Sequence, residues 1–212
     1  IGLQLSYGGT LGIVLFYRKL LKMIKVIMNV VYQPNVEGRE NLICDTGFIL
    51  AGNHKSLLDI PLLATAVEQN IRFMGKKELF ENSLCNYIFT KLGAFPVNRD
   101  GIDLKSLKTA IRILKNDEIL GIFPEGTRNK EVELLPFKEG ITLIAMKTNK
   151  PIIPFGISGK YRIGGGITIK FGEAIDFNKV EVDNKNDYLR DKVNKLIIKI
   201  KLQKNVVLFF IY

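Results

Sequence analysis

Residues 47–59 read GFILAGNHKSLLD, and this stretch decides the fold class. Its first half is a short apolar run bounded by glycines, which predicts a buried strand over 47–52. The residues that follow turn polar, and Ser56 is of the type that caps a helix, which predicts a helix over 56–68. A strand that passes directly into a helix is the opening of a β–α unit.

The same alternation continues along the chain. Further strands are predicted at 71–74, 93–97, 119–123, 152–157 and 167–171. Further helices are predicted at 83–91, 103–115, 139–149 and 186–204. Strands that alternate with helices of this length predict a single α/β domain with a mostly parallel mixed sheet flanked by helices. We assign residues 34–212 to this domain.

Residues 1–33 are predicted to form a separate N-terminal segment. Residues 1–32 contain no Asp or Glu. A polar stripe recurs there at helical spacing, formed by Arg18, Lys22, Lys25 and Asn29. Apolar side chains cover the opposite side: Leu20, Leu21, Ile24, Ile27, Met28 and Val31. This pattern is typical of an amphipathic helix lying in a membrane interface, so we predict a membrane-docking segment that ends before Pro34.

Two alternatives stay open for this segment. It could pack on the domain as an ordinary core helix. It could also span a bilayer, although a span needs about 20 apolar residues and the charge-free stretch is shorter and rich in glycine. The chain start lacks a basic stretch followed by a small-residue cleavage site, so a cleaved signal peptide is not expected.

The composition restricts the class of protein. The chain has 212 residues, of which 47% are hydrophobic and 25% charged, so a disordered chain is excluded. Two Cys and one His exclude a disulfide-rich scaffold and any multi-Cys or multi-His metal centre. No metal or cofactor is therefore expected. The net charge of +10 indicates an anionic partner: nucleic acid, a membrane surface or an acidic protein.

The chain's one histidine, His54, lies where the first predicted strand gives way to a helix, and Asp59 follows it five residues later. A carboxylate in this position can accept a hydrogen bond from one imidazole nitrogen and leave the other nitrogen free as a base. No protein nucleophile is needed if the substrate brings a hydroxyl group. The alternative is that Asp59 serves only as a favourable charge at the helix start.

A second polar block, Phe123–Arg128 (FPEGTR), follows the strand at 119–123. Its glycine allows a tight turn, and Arg128 offers a planar fork that can bind a phosphate. Glu125 can bind a hydroxyl group or hold Arg128. Other predicted strand ends also carry cations, Lys76 and Arg99. Taken alone, this block is better interpreted as a turn that carries an exposed arginine.

Four blocks taken in order resemble the glycerophospholipid acyltransferase family, and within it the bacterial 1-acylglycerol-3-phosphate acyltransferases. They are 53–59 with its H-x4-D spacing, 76–79 together with 93–99, 123–128, and 151–156 (PIIPFG). The resemblance covers roughly residues 34–175. It implies an α/β domain preceded by a helical membrane-docking motif.

The resemblance also implies an activity. An enzyme of this kind transfers a fatty acyl group from acyl-ACP or acyl-CoA to the sn-2 hydroxyl of 1-acylglycerol-3-phosphate (lysophosphatidic acid), giving phosphatidic acid. His54 would be the general base and Asp59 its orienting partner. The residues implied in acceptor binding are Glu125, Gly126, Thr127 and Arg128, with Lys76 and Arg99 near the acceptor phosphate. The expected partners are the acceptor, the acyl donor and an anionic membrane surface, and not nucleic acid. The expected location is the cytoplasmic face of the cell membrane, as a peripheral or monotopic protein.

Other functions are weighed against this one. The main alternative is an acyltransferase for another lysolipid, such as a lyso-ornithine lipid or a lysophospholipid with a head group. A non-catalytic membrane-binding protein would keep the basic helix but would have no use for the His54–Asp59 pair. A nucleic-acid-binding module predicts a basic stripe interleaved with aromatic residues, which this sequence lacks. The apolar tail at 206–212 is too short to span a bilayer, and its role is left open.

Overall fold

The computed structural model describes residues 19, 22–42, 44–67, 69–91, 93–98 and 103–211. Seven strands form one sheet in the order β1-β7-β6-β2-β5-β3-β4. Their bounds are β1 Asn35–Glu37, β2 Ile49–Gly52, β3 Ile71–Lys76, β4 Phe95–Val97, β5 Ile119–Ile122, β6 Ile152–Gly159 and β7 Ile167–Phe171. Among these strands β6 and β7 pair antiparallel and the other neighbours pair parallel. The predicted α/β fold with a mostly parallel mixed sheet is confirmed.

Five α-helices connect or follow the strands. They are α1 Asp59–Ala66, α2 Ser83–Lys91, α3 Leu104–Lys115, α4 Gly140–Thr148 and α5 Lys185–Ile211. Two 3-10 turns, Arg39–Leu42 and Lys77–Phe80, and a π-helical turn, Met28–Tyr32, complete the described elements. The predicted helix at 186–204 is longer than expected, because it continues through most of the apolar tail.

Strand β1 was not predicted from the sequence. It has three residues and none of them is buried, so it is too short and too exposed to show a period-two apolar pattern. Pairing with β7 forms it, with Val36 opposite Ile169.

Strand β2 lies at the centre of the sheet. All four of its residues are buried, which agrees with a continuous apolar run. Leu50 is paired with Gly121 of β5 on one side and with Ile153 of β6 on the other. Because β2 to β6 run in the same direction, their carboxyl ends meet at one edge of the sheet, where ligands of such folds bind.

Helices cover both faces of the sheet. On one face, buried side chains of β2 and β6 belong to the same core cluster as α1; examples are Leu50, Phe155 and Leu62. The other face packs on α3, α4 and α5, with a core that includes Ile49, Leu120, Ala110, Ile144 and Ile197. Helix α5 supplies a stripe at helical spacing: Leu189, Val193, Ile197 and Ile200.

The N-terminal segment divides its apolar residues between two surroundings. Residues 22–32 are helical, and Met28 is buried in the core cluster of the α1 face, with Ile24 packed against it. Ile27, predicted on the same apolar side, is instead exposed, as are Met23, Val26 and Val30. The predicted apolar side is therefore divided between the protein core and the exposed surface.

The helix ends at Tyr32, and Gln33 takes a left-handed conformation (φ 41°) just before Pro34. Docking of this segment to a membrane stays a prediction, and Arg18, Leu20 and Leu21 of the predicted faces lie outside the described residues. Within the described part of the chain, no helix has both the length and the apolarity required to cross a membrane.

Candidate active site

The structure brings the predicted His54–Asp59 pair together at the carboxyl end of β2. His54 Nδ1 lies 2.9 Å from Asp59 Oδ2. Both residues are buried: His54 is 8% exposed and Asp59 is 0% exposed. The loop after β2 supplies the imidazole, and the first residue of α1 supplies the carboxylate.

Asp59 Oδ2 also accepts hydrogen bonds from two backbone amides, Lys55 N at 2.6 Å and Ser56 N at 2.8 Å. Three donors on one oxygen favour an ionised carboxylate that acts purely as acceptor. His54 Nδ1 must then carry the hydrogen of the shared bond. This leaves the Nε2 lone pair of a neutral imidazole available to take a proton.

The start of α1 differs from the prediction. The helix begins at Asp59, and Ser56 does not cap it; the Ser56 hydroxyl accepts instead from Leu58 N at 3.2 Å. The physical reason is that a turn over residues 57 and 58, in which Asp59 N donates to the Ser56 carbonyl at 3.1 Å, comes before the helix.

Tyr161, two residues past β6, contacts the other oxygen of the carboxylate. Its hydroxyl donates to Asp59 Oδ1 at 2.6 Å. Burial raises the pKa of Tyr161 far above its ordinary value, and the charge of Asp59 adds to this effect. No pattern in the sequence indicated this tyrosine, which lies just beyond the 151–156 block.

An aromatic ring supports the imidazole from its face. Phe123 stacks on His54 with ring centroids 4.0 Å apart and planes at 19°. Phe123 in turn contacts Phe73 and Phe155, with centroids 6.4 Å and 5.9 Å away. Packing on one face and a hydrogen bond at Nδ1 together hold the ring in one orientation.

Glu125 lies beneath the same loop and is 5% exposed. Its Oε1 accepts from the backbone amide of His54 at 3.3 Å, and its Oε2 accepts from Leu135 N at 3.0 Å and Asn129 Nδ2 at 2.8 Å. The backbone amide of Asn129 donates to the backbone carbonyl of His54 at 2.7 Å. Glu125 and Asn129 thus tie the loop after β5 to the loop after β2, a role that the sequence did not reveal.

Gly126 is required for the turn that follows Glu125. Its φ of +71° is a conformation that residues with a side chain rarely adopt. A Cβ at this position would also lie 2.6 Å from Lys138 Cε. The turn therefore lets the aliphatic stem of Lys138 pass close to the backbone, a second feature that the sequence did not indicate.

An apolar cavity of about 380 Å³ opens beside Phe123, between the ends of β3, β4 and β5 and helices α3 and α4. Its apolar lining is Met74, Val97, Leu107, Ile122, Phe123, Pro124, Ile141 and Ile144. Its polar lining is Asn98, Asp103, Ser106 and Lys138. Phe123 forms part of the cavity wall and also stacks on His54, so its ring lies between the cavity and the imidazole.

Three other predicted binding residues, Lys76, Thr127 and Arg128, lie at the same edge of the sheet. Lys76 ends β3, is about half exposed and forms an ion pair with Glu78 at 3.1 Å. Thr127 and Arg128 are exposed in the loop after β5. Arg99 lies outside the described residues. In the part of the chain that the structure describes, no three His, Cys, Asp or Glu side chains are grouped as a metal site requires.

Comparison with known proteins gives one answer. The 1-acyl-sn-glycerol-3-phosphate acyltransferase of Bacillus subtilis is 37% identical over 144 residues, which are 68% of this chain and 71% of that protein. The Streptococcus pneumoniae enzyme of the same name is 31% identical over 147 residues, 66% of this chain and 54% of that protein.

A solved structure matches as well. The 1-acyl-sn-glycerophosphate (LPA) acyltransferase PlsC from Thermotoga maritima superposes with a TM-score of 0.71 at 28% identity, over 87% of this chain and 81% of that one. The acyltransferase family profile matches residues 33–158, which contain His54, Asp59 and the Glu125 loop. The chain therefore belongs to the acyltransferase family.

Proposed function

We propose that this protein acylates the sn-2 hydroxyl of 1-acylglycerol-3-phosphate, using an acyl thioester as donor and giving phosphatidic acid. The observation that carries the proposal is the buried His54–Asp59 pair next to an apolar cavity. Relatives that are named 1-acyl-sn-glycerol-3-phosphate acyltransferases support the choice of acceptor.

The chemistry follows from the geometry of the pair. The free Nε2 of His54 takes the proton of the acceptor hydroxyl as its oxygen attacks the thioester carbonyl carbon. The tetrahedral intermediate then expels the thiolate by breaking the C–S bond, and the imidazolium returns the proton to that sulfur. Asp59 stabilises the imidazolium and keeps the hydrogen on Nδ1 throughout. No covalent intermediate with the protein forms.

The cavity and the cations divide the substrate between them. An apolar cavity of about 380 Å³ suits a hydrocarbon chain of a substrate, because it offers burial from water and few polar partners. Lys76, Arg128 and Arg99 are proposed to bind the acceptor phosphate, and Lys138, at the cavity lining, adds a fourth cation nearby. Glu125, with both oxygens bonded inside the protein, contributes to binding by shaping the loop that carries Arg128.

The surroundings of the reaction are part of the proposal. A chain of net charge +10 is attracted both to an anionic membrane surface and to an anionic donor, either acyl-ACP or acyl-CoA. The exposed apolar residues of the N-terminal segment, Met23, Val26, Ile27 and Val30, are placed to enter the interface. We place the enzyme at the cytoplasmic face of the cell membrane, where both substrates meet.

The proposal is tested with the purified full chain, which is incubated with lysophosphatidic acid and either acyl-ACP or acyl-CoA. The expected product is phosphatidic acid, identified after separation of the lipids. Lyso-ornithine lipid and lysophosphatidylcholine serve as competing acceptors in parallel reactions. Preferred acylation of one of these would replace the proposed acceptor, and loss of transfer in every reaction would exclude the activity.

A further inference from the structure

Tyr161 is the residue through which the loop after β6 reaches the candidate catalytic pair. Among the described hydrogen bonds, Asp59 Oδ1 receives one donor, the Tyr161 hydroxyl at 2.6 Å. The other oxygen of the same carboxylate receives three. The fully buried carboxylate of Asp59 thus accepts four hydrogen bonds from within the protein.

We propose that Tyr161 is a positioning residue of the acyl transfer, which fixes the Asp59 carboxylate and, through it, the ring of His54. The inference rests on the proposed function in so far as His54 is the base. Tyr161 itself touches neither the imidazole nor, in this proposal, the substrate.

The need for such a residue follows from how a carboxylate turns. The terminal torsion of an aspartate is broad, and rotation about it displaces both oxygens of the carboxylate together. The tyrosine donor on Oδ1, at 2.6 Å, therefore adds a restraint on the same torsion that the three donors on Oδ2 restrain. Fixing this torsion keeps Oδ2 aimed at Nδ1, and misplacement of a catalytic group by a small distance is costly for the rate.

The phenol is suited to a permanent donor. Its environment raises the pKa of Tyr161, since burial and the neighbouring negative charge both disfavour the phenolate. The hydroxyl therefore keeps its hydrogen and continues to donate across the pH range in which an imidazole titrates.

The ring of Tyr161 is itself held in place. Tyr32, the last residue of the π-helical turn, contacts it edge-on with centroids 5.6 Å apart and planes at 87°. Met28 at the other end of that turn is buried in the core. The chain of contacts Met28–Tyr32 turn, Tyr161, Asp59 and His54 thus extends from the N-terminal segment to the imidazole.

Tyr161→Phe tests the proposal because it removes the hydroxyl and keeps the ring that packs on Tyr32. We expect kcat to fall about tenfold, with the Michaelis constants of both substrates within about twofold of wild type, because the affected group acts on orientation and not on binding. A circular dichroism melt establishes the temperature range in which the variant is folded, and the assays are run within it.

A second readout needs no substrate. The chain contains one histidine, so ¹⁵N-histidine labelling reports His54 alone. The charged groups around it are Asp59 at Nδ1, Glu125 at its backbone amide and Lys55 as its chain neighbour. Without the tyrosine hydroxyl the Asp59 carboxylate is less restrained, so the hydrogen bond at Nδ1 changes and the ¹⁵N signals of the His54 ring should differ from those of wild type.

The matched control is Tyr188→Phe. Tyr188 is a half-buried residue of α5, and its ring packs on Phe177. This substitution should leave kcat and the ¹⁵N signals of His54 at their wild-type values. A Tyr161→Phe protein with only a lowered melting temperature, and with wild-type kcat and His54 signals, overturns the positioning role. If wild type fails to acylate lysophosphatidic acid while the ¹⁵N signals of His54 still change in Tyr161→Phe, the proposed function falls and the coupling of Tyr161 to His54 stands.

Discussion

Two buried carboxylates flank His54, and they hold it in different ways. Asp59 binds the imidazole through Nδ1 and takes a phenol on its other oxygen. Glu125 binds only amide groups: the backbone nitrogens of His54 and Leu135 and the side-chain nitrogen of Asn129. One carboxylate therefore faces the reacting group and the other faces the scaffold. Burial alone does not identify a catalytic acid or base; the chemical type of its partners does.

The largest effect is expected for His54→Ala, because it removes the imidazole that Asp59 holds and that acts as the proposed base. Turnover should fall by about 10²–10⁴-fold or more, the typical contribution of a general base. The side chain packs on Phe123 at the end of a loop, so the fold should persist. Steady-state acyl transfer and circular dichroism measure the two quantities, and a folded variant with near-normal turnover would disprove the mechanism.

Asp59→Asn should come next. The amide has one acceptor oxygen instead of two and presents N–H groups to donors, so the tautomer of His54 is no longer fixed. We expect kcat to fall by at least about a hundredfold, with acceptor KM changing much less. Measuring both constants separates orientation from binding, and a rise in KM alone would place Asp59 with the binding residues.

Glu125→Gln tests the other side of the comparison. The substitution places a buried amide NH₂ group where a carboxylate oxygen accepted hydrogen bonds. Loss of these bonds should lower the free energy of unfolding by about 1–3 kcal/mol. Turnover should fall less than in Asp59→Asn, because the imidazole keeps its own partner. Denaturant unfolding provides the measurement and Glu131→Gln, an exposed change in the same loop, the control. Equal losses of turnover at Glu125 and Asp59 would erase the distinction drawn above.

Arg128→Ala sharpens the contrast within one loop, since Arg128 is exposed three residues after the buried Glu125. One charge-assisted contact to the acceptor phosphate is worth about 1.5–3 kcal/mol, which corresponds to a rise in acceptor KM of about tenfold to a hundredfold. The donor KM should hardly change. A rise confined to the donor KM would instead assign this cation to the carrier.

The smallest effect concerns a third carboxylate, Asp103, at the start of α3. Hydrogen bonds from Ser106 and Asn98 lower its pKa to about 2, below the ordinary 3.8. A lowered pKa in the folded state stabilises the protein above the ordinary value and loses this effect as the pH falls toward 2. Asp103→Ala should cost about 1 kcal/mol at neutral pH, as loss of a helix cap does. Urea unfolding at pH 7 and near pH 2 should show the difference between wild type and variant shrinking in acid, and a constant difference would contradict the assignment.

Much of the fold was readable in the sequence. The buried run of β2 and the apolar spacing of α3 are strong local signals, and both elements appear where they were predicted to within a few residues. Strand β1 was missed because tertiary pairing, and not local pattern, makes it a strand. In the N-terminal segment, the local pattern did not show which apolar residues pack on the core, because tertiary contacts decide it.

The candidate site, like the fold, could be predicted from the sequence only in part. His54 and Asp59 are five residues apart, so one loop brings them together and their spacing predicts it. Tyr161 lies 102 positions after its partner Asp59, and Asn129 lies 75 positions after its partner His54. The order of the strands in the sheet makes these residues neighbours. Contacts of that kind have no local signature in a single sequence.

The backbone amides of Lys55 and Ser56 that bind Asp59 have a consequence for engineering. These main-chain nitrogens lie just before the start of the helix, and they bind the carboxylate independently of the imidazole. If this strand–loop–helix unit is built into another parallel sheet, it therefore supplies an oriented carboxylate acceptor, whichever residue is then chosen as the base. Only the residue at position 54 then has to be varied, which makes the unit a compact starting module for selecting new proton-transfer catalysts.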